Sequence, residues 1–173
     1  MIYSLAGLVG ITGFGHRALQ LLADNGAIKA ERSSDRKGTG RARLFPRGEV
    51  LIGCCLTALS RRHAISDLVR VGRQLRSLLQ DEKIRTIFED IVSSRKEQDD
   101  FLVVVWSHDD EPKVRLLQEP ELSPYLGGAL KGRSHAVTLA LHETLRGLRL
   151  DDLRRNAEEQ LQSRNKRSPK KGE

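Results

Sequence analysis

Five cations stand within twelve residues of the stretch "DRKGTGRARLFPRGEV": Arg36, Lys37, Arg41, Arg43 and Arg47, with no acid between the first and the last. Gly38 and Gly40 sit at its centre and permit a tight hairpin. Alternation along Arg41-Ala42-Arg43-Leu44-Phe45 puts Arg41, Arg43 and Phe45 on one face of a strand, and Ala42 and Leu44 on the other. A guanidinium grips two phosphate oxygens at once, so such a finger suits a polyanionic backbone. A second set lies upstream. On a helix turning about 100° per residue, His16, Arg17, Gln20 and Asp24 share one arc, and Ala18, Leu19 and Leu22 lie across from it. Arginine and glutamine on such an arc can pair with base edges.

Other constellations do less. His108-Asp109-Asp110 falls in a turn-like stretch, where polar residues are expected anyway. His135 and His142 lie seven apart, which on a helix is two turns, or about 10 Å, too far to share one ion. No Gly-rich phosphate loop or nucleophile elbow occurs. Cys54 and Cys55 are the only cysteines. Neighbours on a helix point about 100° apart, so they read as buried small apolar residues rather than a disulfide or chelate. The expectation is therefore no enzyme, no cofactor and no metal site.

The charge is uneven. Net charge is +7 over 173 residues, yet residues 1–80 hold 13 Lys and Arg against 5 Asp and Glu, and residues 81–150 hold 10 against 13. A basic first half is what a module that meets a polyanion carries. Apolar residues make up 38% and aromatics 4%, so aliphatic side chains must fill the core. With no signal-like start and no apolar run near the ~20 residues that span a bilayer, a cytoplasmic protein with no membrane partner is expected.

The elements that would hold these residues follow from periodicity. Residues 4–11 make two turns of helix with Leu5, Leu8 and Val9 on one side, and "TGFG" breaks it. A second helix runs from about Phe14 to Asn25 and stops at Gly26. The basic finger fills 29–47, a third helix 47–60, and Ser66 caps a fourth. Ile84, Ile87, Phe88 and Ile91 form one stripe of an amphipathic helix. "FLVVVW" (101–106) and "KVRLLQ" (113–118) read as two strands. "EPELSPYLGG" reads as a loop, and 134–148 as a helix carrying Val137, Leu141, Leu145 and Leu148. A last helix runs to about Ser163, and 164–173 is a disordered basic tail.

Residues 1–80, "SLAGLVGITGFGHRALQLLADNGAI", then "RKGTGRARLFPRGEV", then "AISDLVRVGRQLRSLL", resemble the DNA-binding domain of the MerR (mercury-resistance regulator) family. The shared parts are Leu5-Ala6, Gly26-Ala27-Ile28, Gly40 to Phe45, and Ser66. The resemblance implies a winged helix-turn-helix followed by two further helices, with Arg17 as the arginine of the recognition helix and Arg43 as the wing arginine. The chain departs from the family in a turn about three residues longer, in Leu21-Leu22 where an aromatic pair is common, and in Ala42 where a wing aromatic is common.

The expected fold is mainly α with small β elements. A winged helix-turn-helix (1–80) is followed by a small α+β unit of order α-β-β-α (81–163). The expected function is a sequence-specific, DNA-binding transcriptional regulator acting on double-stranded DNA through His16, Arg17, Gln20, Arg36, Lys37, Arg41, Arg43 and Arg47. A homodimer held by 81–163 is expected, because "FLVVVW" leaves a strand edge that a partner subunit, or else the helix at 134–148, must cover. Small-molecule sensing, with Trp106, Tyr125 and the histidines lining a pocket, is the other use of that unit. The alternatives are a DNA-organising or mobile-element protein, such as an excisionase or a phage packaging subunit, on the same winged helix, and a module whose basic face meets an acidic protein.

Overall fold

The computed structural model describes residues 2–32, 34, 42–60, 63–92, 100–106, 111–129 and 135–146. The chain opens with strand β1 (Ile2–Ser4), which runs directly into helix α1 (Leu5–Thr12). Ser4 makes the junction: its Oγ accepts a hydrogen bond from the Gly7 amide at 3.1 Å and caps the helix. Gly13, at φ 66°, ends it. Helix α2 (His16–Asp24) follows. Strand β2 (Leu44–Pro46) returns to pair antiparallel with β1, Tyr3 opposite Phe45.

Helix α3 (Arg47–Ser60) is the hub of the fold. Every residue from Glu49 to Leu56 is buried, because α1, helix α4 (Ile65–Leu78) and helix α7 (Leu141–Arg146) all pack around it. Helix α4 starts from an N-cap at Ala64, two residues before the Ser66 expected from the sequence. Ser66 is exposed in the first turn and does not serve as the cap. Helix α5 (Glu82–Val92) buries Phe88 and Ile91 and packs against α7.

The second half departs from the expected α-β-β-α order. Strands β3 (Asp100–Trp106), β4 (Lys113–Gln118) and β5 (His135–Ala140) form an antiparallel sheet in the order β4-β3-β5. The expected helix over 134–148 is therefore a strand followed by the short α7. β5 pairs with the second edge of β3, Val104 opposite Val137, and its backbone groups enter that ladder instead of a helix. The expected open edge on "FLVVVW" is accordingly filled from within the chain. The expected loop over "EPELSPYLGG" is helix α6 (Glu119–Ala129), with Pro124 inside it.

β3 is buried on both faces. Leu102, Val104 and Trp106 join the main core, while Val103 and Val105 point the other way. Arg115 shares the face of Val103 and lies over the Tyr125 ring of α6, 5.5 Å from its centroid, so α6 covers that side. On the core side, Trp106 stacks with His63 at 4.0 Å between centroids and with His135 at 5.3 Å. A single cluster of buried apolar side chains runs from Tyr3 to Leu145 and joins both halves. No helix among the described residues is long and apolar enough to cross a membrane.

Candidate nucleic-acid interface

Helix α2 is shaped by its sequence to offer one face. Leu19 and Leu22 are fully buried, and Ala18 and Ala23 half-buried. Opposite them His16, Arg17, Gln20, Leu21 and Asp24 are exposed. The three recognition residues expected from the sequence thus share one solvent-facing arc. The exposed Leu21, at 51%, widens that arc beyond what polar spacing indicated.

The end of α2 is closed by a Schellman motif. Gly26, at φ 75°, donates from its amide to the Ala23 carbonyl at 3.1 Å, and Ala27 donates to the Leu22 carbonyl at 2.8 Å. The chain then turns past α4, where Gly72 lies against the backbone of Ala27. Glu49 on α3 fastens this turn. Its Oε1 accepts from Arg76 Nε at 2.5 Å, and its Oε2 accepts from Arg76 Nη2 and from the Lys29 amide, each at 2.9 Å. Arg76 Nη2 also donates to the Ala27 carbonyl at 3.1 Å. One doubly bonded ion pair, with Glu49 buried and Arg76 half-buried, therefore holds α3, α4 and the exit from α2 in one frame.

The base of the finger is built on the same frame. The Glu31 amide donates to the Leu44 carbonyl at 2.8 Å, and the Leu44 amide donates to Ser34 Oγ at 3.0 Å. Ser34 and Leu44 are thereby held side by side. Arg36, Lys37 and Arg41 lie outside the described residues. Lys29 and Arg32, both exposed, stand in the segment leading into the finger. They precede the run of clustered cations that marks the finger in the sequence.

Arg43 differs from its expectation. The side chain is only 15% exposed, and its Nη1 donates to Asp24 Oδ1 at 2.6 Å. Alternation placed Arg43 on the face of Phe45, and Phe45 is fully buried. That face is therefore the inward one, and Arg43 lies along α2 instead of projecting outward. Arg47, the first residue of α3, is half-buried, and its Nε is enclosed with no hydrogen-bond partner among the described residues. Arg61 and Arg62 lie outside the described residues.

Among the described residues, the remaining chemistry-bearing side chains do not gather into a second site. Cys54 and Cys55 are buried free thiols. Burial pushes Cys54 from 9.0 up to about 12, and pushes Cys55 up as well, with the neighbouring Cys54 adding to the rise. No group of three or more potential metal ligands occurs among the described residues. No protein-family model matches the chain, and no curated protein matches it.

Proposed function

We propose that the chain is a sequence-specific, DNA-binding transcriptional regulator whose first 80 residues work as a winged helix-turn-helix of the MerR kind. The observation that carries this reading is the exposed arc of His16, Arg17 and Gln20 on α2, set beside a cation-rich finger whose base is fastened at Glu31, Ser34 and Leu44. A helix of this size fits a major groove, and arginine and glutamine are suited to bidentate pairing with guanine and adenine. The finger supplies cations for phosphate contacts that position the helix without reading sequence. The element order β1, α1, α2, β2, α3, α4, with β1 paired to β2, supports this reading.

A homodimer remains part of the proposal. One recognition helix reads few base pairs, and a two-fold copy doubles the site. β3 offers no edge for a partner strand, so dimerisation would use another surface.

The test is selection of bound duplexes from a random pool, using the intact chain. Enrichment of one consensus by the wild type, altered by Arg17→Ala and by Gln20→Ala, is the expected result. A base-edge pair contributes ~1–3 kcal/mol of discrimination. An enriched consensus that both variants leave unchanged would remove α2 from the interface.

A further inference from the structure

Leu21 breaks the pattern of the helix that carries it. The solvent-facing positions of an amphipathic helix are polar, and His16, Arg17, Gln20 and Asp24 obey that rule on α2. Leu21 is 51% exposed, and unlike Leu19 and Leu22 it takes no part in the apolar core. Ile2, in β1, is the other large apolar side chain exposed among the described residues. Packing within the described chain therefore gives Leu21 no role. A residue that breaks a local rule without gain to the fold is expected where a surface works.

Its neighbours indicate what it would meet. Gln20 immediately precedes it. Arg17 lies one turn before it, about 6 Å along the axis and about 40° around it. In the major groove an arginine reads guanine and a glutamine reads adenine by hydrogen bonds. The one apolar group that a base pair shows there is the 5-methyl of thymine. Residues 1–80 hold 13 Lys and Arg against 5 Asp and Glu, a balance that favours a polyanion over an apolar protein surface as the occupant.

We propose that Leu21 is a specificity-determining residue that packs on the 5-methyl group of a thymine. A separation of about 6 Å from Arg17 is roughly two base-pair steps of about 3.4 Å. The recognised site therefore holds a thymine–adenine pair within about two base pairs of the base that Arg17 reads. This rests on the DNA-binding reading above and deepens it by naming a base that the polar side chains of α2 do not specify.

The test removes the methyl from the DNA and the leucine from the protein, separately and together. Deoxyuridine in place of thymidine deletes the 5-methyl and leaves the O4 acceptor and the pairing intact. At one thymine of the selected duplex, that exchange weakens binding of the intact wild-type chain by about fourfold, the effect of one buried methyl-sized group. Leu21→Ala binds the thymine duplex about fourfold more weakly and no longer distinguishes it from the uracil duplex, the non-additivity of a contacting pair. Leu21→Met, apolar and of similar volume, keeps the discrimination. The slope of log affinity against log salt is the same for all three proteins, because no phosphate contact is lost. A merely structural role for Leu21 would instead weaken both duplexes by one factor and leave the discrimination unchanged.

Wild-type binding that is indifferent to uracil at every thymine of the duplex would overturn the assignment. So would a discrimination that Leu21→Ala retains. In either case a consensus altered by Arg17→Ala leaves the DNA-binding reading standing. A chain that enriches no consensus removes that reading and this one with it. Light scattering addresses a second copy as the occupant: self-association lost in Leu21→Ala, with the thymine preference unchanged, would make Leu21 a subunit contact and sink the proposal.

Discussion

Gly72 lies so close to Ala27 that a Cβ at residue 72 would overlap the Ala27 carbonyl oxygen. Backbone, not a flexible side chain, is the obstacle, so it cannot swing aside. Helix α4 thus approaches the exit of the candidate recognition helix at a distance that only glycine permits. Gly72→Ala should destabilise the fold by about 1–3 kcal/mol, the range for overpacking a close seam. A urea titration should show a lower midpoint with an unchanged slope.

Glu49 and Arg76 make the second fastening of that seam. Glu49→Gln leaves the Arg76 guanidinium, 21% exposed, without its carboxylate. The expected loss is about 3 kcal/mol, near the lower end for breaking a buried pair. Replacing both by leucine should cost less than the two single leucine substitutions together, because no charge is then left stranded.

Elements with a strong local pattern were legible in the sequence. Helix α3 spans the 47–60 expected from its apolar run, and β3 and β4 fall on the two strand-like hexamers. The polar arc of α2 was legible for the same reason. What depends on distant partners was not. Val137, Leu141 and Leu145 have helical spacing, but the spacing straddles the end of β5 and the start of α7. The open edge of β3 decides that 135–140 is a strand, and periodicity carries no record of that edge. α6 was hidden by Pro120 and Pro124, which read as turn residues. Arg43 was placed on the right face of its strand, but the burial of Phe45 turns that face inward. The Glu49–Arg76 pair spans 27 residues and has no local signature.

Leu141 is fully buried at the meeting of α7 with α3 and α5. Leu141→Glu should therefore unfold the chain, with a loss above about 4 kcal/mol. It should not yield a folded chain that has merely lost a partner. Circular dichroism of the variant distinguishes the two.

Burial raises both thiols, so the folded state favours their neutral forms. A group whose pKa is raised on folding adds stability that is full below its unfolded value and is lost as pH climbs toward the folded one. For Cys54 that window opens near its ordinary 9.0 and extends to about 12. Stability should decline above pH 9. At pH 8 a thiol reagent should modify neither cysteine until denaturant is added. Replacing both by alanine should remove part of the alkaline decline.

The central claim is that the basic first half meets the DNA backbone, and the salt dependence of binding to duplex DNA tests it most directly. Each phosphate neutralised contributes about −0.9 to the slope of log affinity against log salt. If Arg17, Arg36, Lys37, Arg41 and Arg47 supply the contacts, the selected duplex should give a straight line with a slope of about −4.5. Replacing Arg36, Lys37 and Arg41 together by glutamine should flatten it by about 2.7. A slope near zero in the wild type, or one that this triple substitution leaves unchanged, would contradict the account.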